Sequence, residues 1–146
     1  MAARFESVGS LVRGQETFSL GPEASVQEAA ELMARHRVGS ILVVQSGQLR
    51  GLFTERDLLN RVVAKGLRPE SVSLEDVMTK DPVTVESKAS LVQSLTTMFE
   101  QKFRHLPVLE NGRVVGVLSC RDIPAGYWIL QENWVAAQAD LKVRTG

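Results

Sequence analysis

The heptapeptide Gly51-Leu-Phe-Thr-Glu-Arg-Asp57 is matched 65 residues later by Gly116-Val-Leu-Ser-Cys-Arg-Asp122. In both segments a hydroxyl residue and an aspartate stand three positions apart, where a strand is predicted to pass into a helix. The unpaired N–H groups and positive dipole end of a helix start suit an anion such as phosphate. An ionised carboxylate can accept hydrogen bonds from two ribose hydroxyls. The motif therefore predicts a nucleotide site, but Ser/Thr-x-x-Asp is also a capping box that needs no ligand, and the spacing leaves both interpretations open.

The motif belongs to an internal repeat, because a shift of 65 residues places Glu16–Leu58 on Asp81–Ile123. Eight aligned pairs are identical: Ala24/Ala89, Ser25/Ser90, Met33/Met98, Val43/Val108, Gly47/Gly112, Gly51/Gly116, Arg56/Arg121 and Asp57/Asp122. A unit of about 60 residues buries only a thin core. The two copies are therefore expected to pack on each other.

Both copies predict the element order β-α-β-β-α. Each has a short strand, a helix opened by a capping box, a second strand, a tight turn and a third strand that leads into the motif. In the first copy these are Thr17–Leu20, the helix after Ser25-x-x-Glu28, Ile41–Val44, Ser46-Gly47 and Leu49–Phe53; in the second they are Val83–Glu86, the helix after Ser90-x-x-Gln93, Leu106–Leu109, Asn111-Gly112 and Val114–Leu118. The last helix of the first copy is predicted to end at Gly66. The predicted fold class is α/β in the broad sense of a mixed fold, and α+β in the narrower sense.

The composition excludes several classes of function. The 146 residues carry 17 basic and 17 acidic side chains, so the formal charge is zero, which argues against duplex DNA or another bulk polyanion as a partner. Aromatic residues make up only 5% of the chain, which disfavours binding of single-stranded nucleic acid. Cys120 is the only cysteine, so no internal disulfide forms. No apolar run approaches the roughly 18 residues that span a bilayer, and a cytoplasmic location without membrane attachment is expected.

The ordered segments of the repeat resemble the CBS-domain family, named for cystathionine β-synthase, in its stand-alone tandem form, the Bateman module. The segments that carry the resemblance are Val38-Gly-Ser-Ile-Leu-Val-Val44 and Gly51-x-x-Thr-x-Arg-Asp57 in the first copy, and Val77-Met-Thr79, Asp81-Pro-Val-Thr-Val85, Phe103-Arg-His-Leu-Pro-Val108 and Gly116-x-x-Ser-x-Arg-Asp122 in the second. The resemblance implies two repeats related by pseudo-twofold symmetry, with two clefts between facing sheets. The expected divisions are repeat 1 at 8–66, a short polar linker at 67–76, repeat 2 at 77–127, and a C-terminal helix and tail at 128–146.

The resemblance also implies that the clefts bind adenosine-containing ligands (AMP, ADP or ATP, with NAD or S-adenosylmethionine as alternatives) and that the module regulates rather than catalyses. Each cleft is expected to combine the motif of one copy with strands of the other. The first would use Thr54, Arg56 and Asp57 with Thr79, Val83, Thr84, Arg104, His105 and Pro107. The second would use Ser119, Arg121 and Asp122 with Phe18, Ser19, Val38, Gly39, Ser40 and Ile41.

The copies differ where Arg104-His105 aligns with Gly39-Ser40. A guanidinium and an imidazole both hold phosphate, so the first cleft is expected to take the phosphate-bearing nucleotide. The second is expected to favour a less charged adenosine ligand or to stay empty. Arg56 and Arg121 either contact phosphate or pair with nearby acids.

Both tryptophans, Trp128 and Trp134, lie in a C-terminal segment predicted to be helical, Tyr127–Ala139. That segment either covers the module's own core or forms a dimer contact, since tryptophan is enriched in interfaces. No catalytic triad, metal-ligand spacing or Walker loop is present, so we expect a non-enzymatic sensor that forms a homodimer and acts on an effector protein not identified by the sequence. The alternative is a structural dimerisation module with empty clefts.

Overall fold

The computed structural model describes residues 7–123, which form two units with one sheet each. The first sheet has the order β1-β2-β3-β4, with strands Ser19–Leu20, Ser40–Gln45, Gln48–Thr54 and Thr79–Lys80. The second has the order β5-β6-β7, with strands Val85–Glu86, His105–Glu110 and Arg113–Ser119. In both sheets the first strand runs parallel to the second, and the second pairs with the third as an antiparallel hairpin. The predicted mixed fold with two equivalent small sheets is confirmed.

The two long helices begin after equivalent serines, Ser25 and Ser90. Helix α2 is Val26–His36 and helix α5 is Leu91–Gln101. The Ser25 hydroxyl accepts from the Glu28 N–H and the Glu28 carboxylate accepts from the Ser25 N–H, so the predicted capping box is formed. In α5 the Ser90 hydroxyl accepts from the Gln93 N–H. Among residues 7–123 no helix is long and apolar enough to cross a membrane.

Both predicted hairpin turns adopt the conformation that their residues favour. Ser46 and Gly47 have φ angles of 53° and 76°, and Asn111 and Gly112 have 53° and 79°. Two successive residues with positive φ form the turn whose twist matches a β-hairpin. The turns therefore set the register that brings each motif to the end of its hairpin.

Two short helices, α1 (Val8–Val12) and α4 (Leu74–Val77), are exchanged between the units. The N–H of Gly9 donates to the carbonyl of Ser87 at 2.8 Å, so α1 lies on the second unit. The N–H of Leu74 donates to the carbonyl of Ala24 at 2.9 Å, so α4 lies on the first. Each unit is thus completed by the segment that precedes the other unit in the sequence.

The exchanged helices belong to the two hydrophobic cores. The first core contains Val26, Ala29, Met33, Ile41, Val43, Phe53, Val62, Leu74, Val77 and Met78. The second contains Val8, Val12, Leu91, Leu95, Met98, Leu106, Val108, Leu118 and Ile123. The predicted polar linker therefore ends in a helix whose apolar side chains are buried, while the domain boundaries themselves remain predictions.

The shared glycine of the motif allows the exchanged segments to approach the sheets. A Cβ on Gly51 would lie 2.9 Å from the carbonyl oxygen of Thr79, and a Cβ on Gly116 would lie 2.8 Å from the Cβ of Val12. Contacts this close are shorter than ordinary van der Waals contact, so a side chain at either position would push the exchanged segment outward. The glycine therefore has a packing role in both copies.

The fourth strand of the first sheet has a side-chain substitute in the second. Strand β4 pairs with β3 through Leu52 and Thr79. At the equivalent edge, the side-chain amide of Gln15 donates to the Val117 carbonyl at 3.2 Å and accepts from the Val117 N–H at 2.7 Å. The Gln15 side chain thus forms hydrogen bonds with the backbone at this edge, where a strand does so in the other unit.

Helix α3, Glu55–Asp57, begins directly after β3 and continues as a π-helix over Leu58–Val63. Gly66, with a φ of 71°, follows this helix as predicted. In the second copy a 3-10 turn, Cys120–Asp122, follows β7. The predicted C-terminal helix, with Trp128 and Trp134, lies outside the described residues.

Candidate functional site

The larger of two adjoining clefts lies between the units and has a volume of about 730 Å³. Both units supply its walls, because α3 and the segment around β4 come from the first and the end of α5 and the start of β6 come from the second. Its lining residues are Leu52, Thr54, Glu55, Arg56, Asp57, Asn60, Arg61, Thr79, Lys80, Asp81, Pro82, Val83, Gln101, Lys102, Phe103, Arg104, His105, Ser119, Cys120 and Arg121. A cleft of this volume is in the range of small-molecule and cofactor sites.

Asp57 is 6% exposed and lies in the wall of this cleft. Its carboxylate accepts from the N–H of Thr54 at 3.0 Å, while the Thr54 hydroxyl accepts from the N–H of Asp57 at 3.2 Å. The Thr79 hydroxyl donates to the same carboxylate at 3.3 Å. The motif is therefore a formed capping box, and its carboxylate also faces the cleft, so the two interpretations of the sequence are compatible.

Arg61 connects this carboxylate to the exchanged segment. Its guanidinium donates to the carbonyls of Val77 at 3.2 Å and Met78 at 2.9 Å, and its Nε lies 3.6 Å from a carboxylate oxygen of Asp57. Arg61 was not among the residues predicted for either cleft. Its position four residues after Asp57, about one helical turn, could have predicted this pair from the sequence.

The large cleft is basic. It is lined by six lysine or arginine side chains, Arg56, Arg61, Lys80, Lys102, Arg104 and Arg121, and by three acids, Glu55, Asp57 and Asp81. Val83 and Phe103 add apolar surface that is 38% and 36% exposed. Cationic and apolar surface in one cleft suits an anion that carries a flat ring.

Most residues predicted for the first cleft do line it, namely Thr54, Arg56, Asp57, Thr79, Val83, Arg104 and His105. Thr84 and Pro107 lie outside the lining. Pro107 is buried and pairs with Val117 inside the hairpin, and Thr84 is half-buried just before β5. The prediction missed Lys102 and Phe103, which directly precede Arg104, and the residues supplied by the end of α5.

The smaller cleft has a volume of about 250 Å³. Its lining residues are Gln15, Glu16, Thr17, Phe18, Arg37, Val38, Gly39, Ser40, His105, Val117, Ser119 and Arg121. The Phe18 ring stacks on the His36 ring with centroids 4.0 Å apart. With two arginines and one glutamate among its lining residues, this cleft has far less positive charge than the large one.

Two of the residues predicted for the second cleft lie elsewhere. Ile41 is fully buried in the first core, because side chains alternate along β2 and its neighbour Ser40 takes the cleft side. Ser19 is exposed on β1, outside the lining. The predicted Phe18, Val38, Gly39, Ser40, Ser119 and Arg121 line the cleft, whereas the side chain of Asp122 is outside the described part of the structure.

His105, Ser119 and Arg121 line both clefts and form a common wall. A Cβ on Gly39 would lie 3.0 Å from Nε2 of His105 and would collide with the carboxylate of Glu55. The Glu55 carboxylate in turn pairs with the Arg121 guanidinium at 3.2 Å. The His105 imidazole and the Glu55 carboxylate thus occupy the space that a side chain at position 39 would need. This explains why a glycine, and not a counterpart of Arg104, stands at this position.

A family model for the CBS domain matches residues 12–64 and again residues 74–123. The chain belongs to the CBS-domain family. Each match contains the long helix and the β-hairpin of one unit, so the molecule is a CBS-domain pair. Within residues 7–123 no group of three His, Cys, Asp or Glu side chains is placed to hold a metal ion.

Relatives of this CBS-domain pair include much longer proteins. The CBS domain-containing protein CBSCBSPB2 of Arabidopsis thaliana is 38% identical over 108 residues, which are 73% of this chain and 20% of that protein. The CBS domain-containing protein YhcV of Bacillus subtilis is 33% identical over 105 residues, which are 72% of this chain and 74% of YhcV. The chain therefore spans about a fifth of the plant relative and most of the bacterial one.

A relative of known structure is similar to this chain over almost its whole length. A CBS domain protein from Pyrobaculum aerophilum, complexed with AMP, superimposes with a TM-score of 0.76 at 26% sequence identity, covering 87% of this chain and 98% of that one. The expected fold of two CBS repeats is thereby confirmed.

Proposed function

We propose that this CBS-domain pair is a regulatory module that binds an adenosine phosphate in the large cleft. The observation that carries the proposal is the concentration of six cationic side chains around one cleft whose wall holds the buried carboxylate of Asp57. The chain as a whole has no net charge, so this concentration is local. The AMP complex of the relative from Pyrobaculum aerophilum supports the same class of ligand.

Each part of the ligand has a suitable surface in the cleft. The Asp57 carboxylate is an acceptor for ribose hydroxyls, and Thr79 beside it adds a hydroxyl. Arg56 and Arg104 are exposed cations that suit the phosphate, with His105 at the common wall. Val83 and Phe103 offer apolar surface to the adenine ring.

The small cleft is proposed to differ in its ligand. Its lower positive charge and smaller volume favour an uncharged adenosine compound, or no ligand, over a nucleotide with several phosphates. NAD and S-adenosylmethionine remain alternatives for the module as a whole.

The proposed mechanism of regulation is a shift in population between arrangements of the two units. A ligand in the large cleft contacts both units at once, and the exchanged helices α1 and α4 connect each unit's core to the other's chain segment. Ligand binding therefore favours the arrangement in which both walls contact it. The effector protein that responds, the homodimer and the cytoplasmic location remain predictions, as does the absence of catalysis.

Calorimetric titration of the chain with AMP, ADP, ATP, NAD and S-adenosylmethionine tests the proposal directly. A bound ligand at 100 times its Kd should also stabilise the fold by about 2.7 kcal/mol in denaturant unfolding. Arg104→Met should weaken binding of the nucleotide about tenfold, because it removes a cation from the cleft. Arg113→Met, which removes an exposed arginine outside both clefts, should leave binding unchanged.

If no ligand of this panel binds, the alternative of a structural module with empty clefts is favoured. If NAD or S-adenosylmethionine binds more tightly than the three adenine nucleotides, the proposed ligand class is wrong while the cleft assignment stands.

A further inference from the structure

The two motif arginines, Arg56 and Arg121, are equivalent by sequence but differ in their partners. The Arg121 guanidinium crosses to the other unit and pairs with the carboxylate of Glu55 at 3.2 Å. Among the side chains that the structure describes, which do not include that of Asp122, no carboxylate forms an ion pair with Arg56. One motif arginine is therefore paired with an acid, and the other has no acidic partner among the described side chains.

The difference comes from a single pair of aligned positions. Glu55 aligns with Cys120, and the backbone confirms the equivalence. The N–H of Glu55 donates to the Gly39 carbonyl at 3.1 Å, and the N–H of Cys120 donates to the Arg104 carbonyl at 3.0 Å. Cys120 is therefore the counterpart of Glu55. Its thiol offers no carboxylate for Arg56, whereas Glu55 offers one to Arg121.

The ion pair contributes little to folding. Its side chains are 67% and 62% exposed, and exposed pairs of this kind stabilise proteins by about 0–1 kcal/mol. Its position matters more, because Glu55 and Arg121 line the large cleft and Arg121 also lines the small one. A carboxylate at this place lowers the positive potential that an anion meets at the common wall.

We infer that Glu55 is a specificity-determining residue of the clefts. Its carboxylate forms an ion pair with Arg121 and repels anions from the common wall. The phosphate of the ligand therefore binds on the side of the large cleft that carries Arg56 and Arg104. This inference depends on the proposed function for the identity of the ligand, but it concerns the choice between two arginines. Moving the carboxylate from position 55 to position 120 should reverse the preference.

The experiment compares AMP with adenosine, which lacks the phosphate, by calorimetric titration of four variants. Glu55→Gln removes the charge and should tighten AMP binding about fivefold, the effect of about 1 kcal/mol expected for one exposed charge. Adenosine should change by less than about twofold, since no charge is involved. Cys120→Glu should pair with Arg56 and weaken AMP binding by a similar factor, while Cys120→Gln controls for the larger side chain.

A double variant shows whether Glu55 acts through Arg121. In the double variant Glu55→Gln with Arg121→Gln, the gain in AMP affinity should disappear, because the guanidinium that Glu55→Gln frees from its ion pair is no longer present. A gain that persists in the double variant, or an unchanged AMP affinity in both Glu55→Gln and Cys120→Glu, overturns the inference. Equal changes for AMP and adenosine overturn it as well, since they would reflect shape and not charge.

Failure of the proposed function gives a different result. If wild-type protein binds neither AMP nor adenosine, the same variants are titrated with inorganic phosphate as the anion. Tighter binding by Glu55→Gln and weaker binding by Cys120→Glu than by Cys120→Gln would support the choice between arginines without any nucleotide. Equal phosphate binding by wild type and all variants would refute it.

Discussion

Replacement of Asp57 by Asn separates the two roles of this residue, as a helix cap and as a ligand contact. The residue is 6% exposed and its carboxylate accepts hydrogen bonds from Thr54 and Thr79, with Arg61 at 3.6 Å. Asn has nearly the same size and keeps one oxygen acceptor, so the cavity and the cap geometry are retained. The charge is lost, and one carboxylate oxygen is replaced by an amide NH2 group that donates instead of accepting.

The expected loss of stability is small. Removal of a negative charge from a helix N-terminus costs about 0.3–1 kcal/mol, and the lost pair with the half-exposed Arg61 costs about 0–1 kcal/mol. Together these predict a decrease of about 0.3–2 kcal/mol in the free energy of unfolding. Urea denaturation followed by circular dichroism measures it.

Asp57→Asn is expected to weaken AMP binding more than it would if Asp57 only capped the helix. Hydrogen bonds to a charged acceptor are worth about 1.5–3 kcal/mol, against about 0.5–1.5 kcal/mol for neutral pairs. These ranges differ by about 1–1.5 kcal/mol, so if ribose hydroxyls bind Asp57, Asp57→Asn should weaken AMP binding by about five- to thirteenfold. Calorimetric titration at a temperature where the variant is fully folded measures this effect apart from stability.

A matched control lies elsewhere in the same chain. Ser73 and Asp76 have the same spacing, and the Ser73 hydroxyl donates to the Asp76 carboxylate at 3.2 Å, at the start of α4 and outside both clefts. Asp76→Asn should change stability slightly and AMP affinity not at all. Unchanged AMP affinity in Asp57→Asn, together with the predicted loss of stability, would refute the ligand role and leave Asp57 as a cap.

Further predictions concern the two clefts, the exchanged helices and the predicted dimer. Asp57→Ala should weaken AMP binding more than Asp122→Ala does, and equal effects in titration would show that the expected asymmetry of the clefts is wrong. Leu74→Ala should reduce the free energy of unfolding by about 2–5 kcal/mol, because it leaves a cavity in the first core; a loss below 1 kcal/mol in urea denaturation would contradict the packing of α4. Gly116→Ala should cost about 1–3 kcal/mol through overpacking against α1, whereas Gly21→Ala, where the nearest atom to a Cβ is 4.0 Å away, should be tolerated. Leu59 is 59% exposed, and if its face forms the predicted homodimer, Leu59→Glu should yield folded monomers in light scattering; a wild-type chain that is itself monomeric would exclude the homodimer.

Local structure was predictable where it depends on neighbouring residues. Ser46-Gly47 and Asn111-Gly112 form their hairpin turns because these residues tolerate positive φ. Ser25 and Ser90 cap their helices because a short hydroxyl side chain reaches the N–H three residues on. The same reasoning predicted that Thr54 and Asp57 would begin a helix.

Predictions of the clefts were less complete, since a cleft depends on which face of a strand or helix meets the opposite unit. Ile41 was assigned to a cleft with Ser40, but alternation along the strand directs it into the core. Lys102 was missed because a helix end has no motif that marks its approach to the other unit.

The repeat, the helix caps, the hairpin turns and the motif with its hydroxyl and carboxylate were determined by the sequence itself, because each follows from residues a few positions apart. The tertiary structure decided which core each of the helices α1 and α4 joins, and it decided that Glu55 faces Arg121, a residue 66 positions away. Periodicity and spacing describe one segment at a time, whereas these contacts depend on how two similar units pack. The copies are alike in their motif, and the difference between their arginines arises only where the units meet.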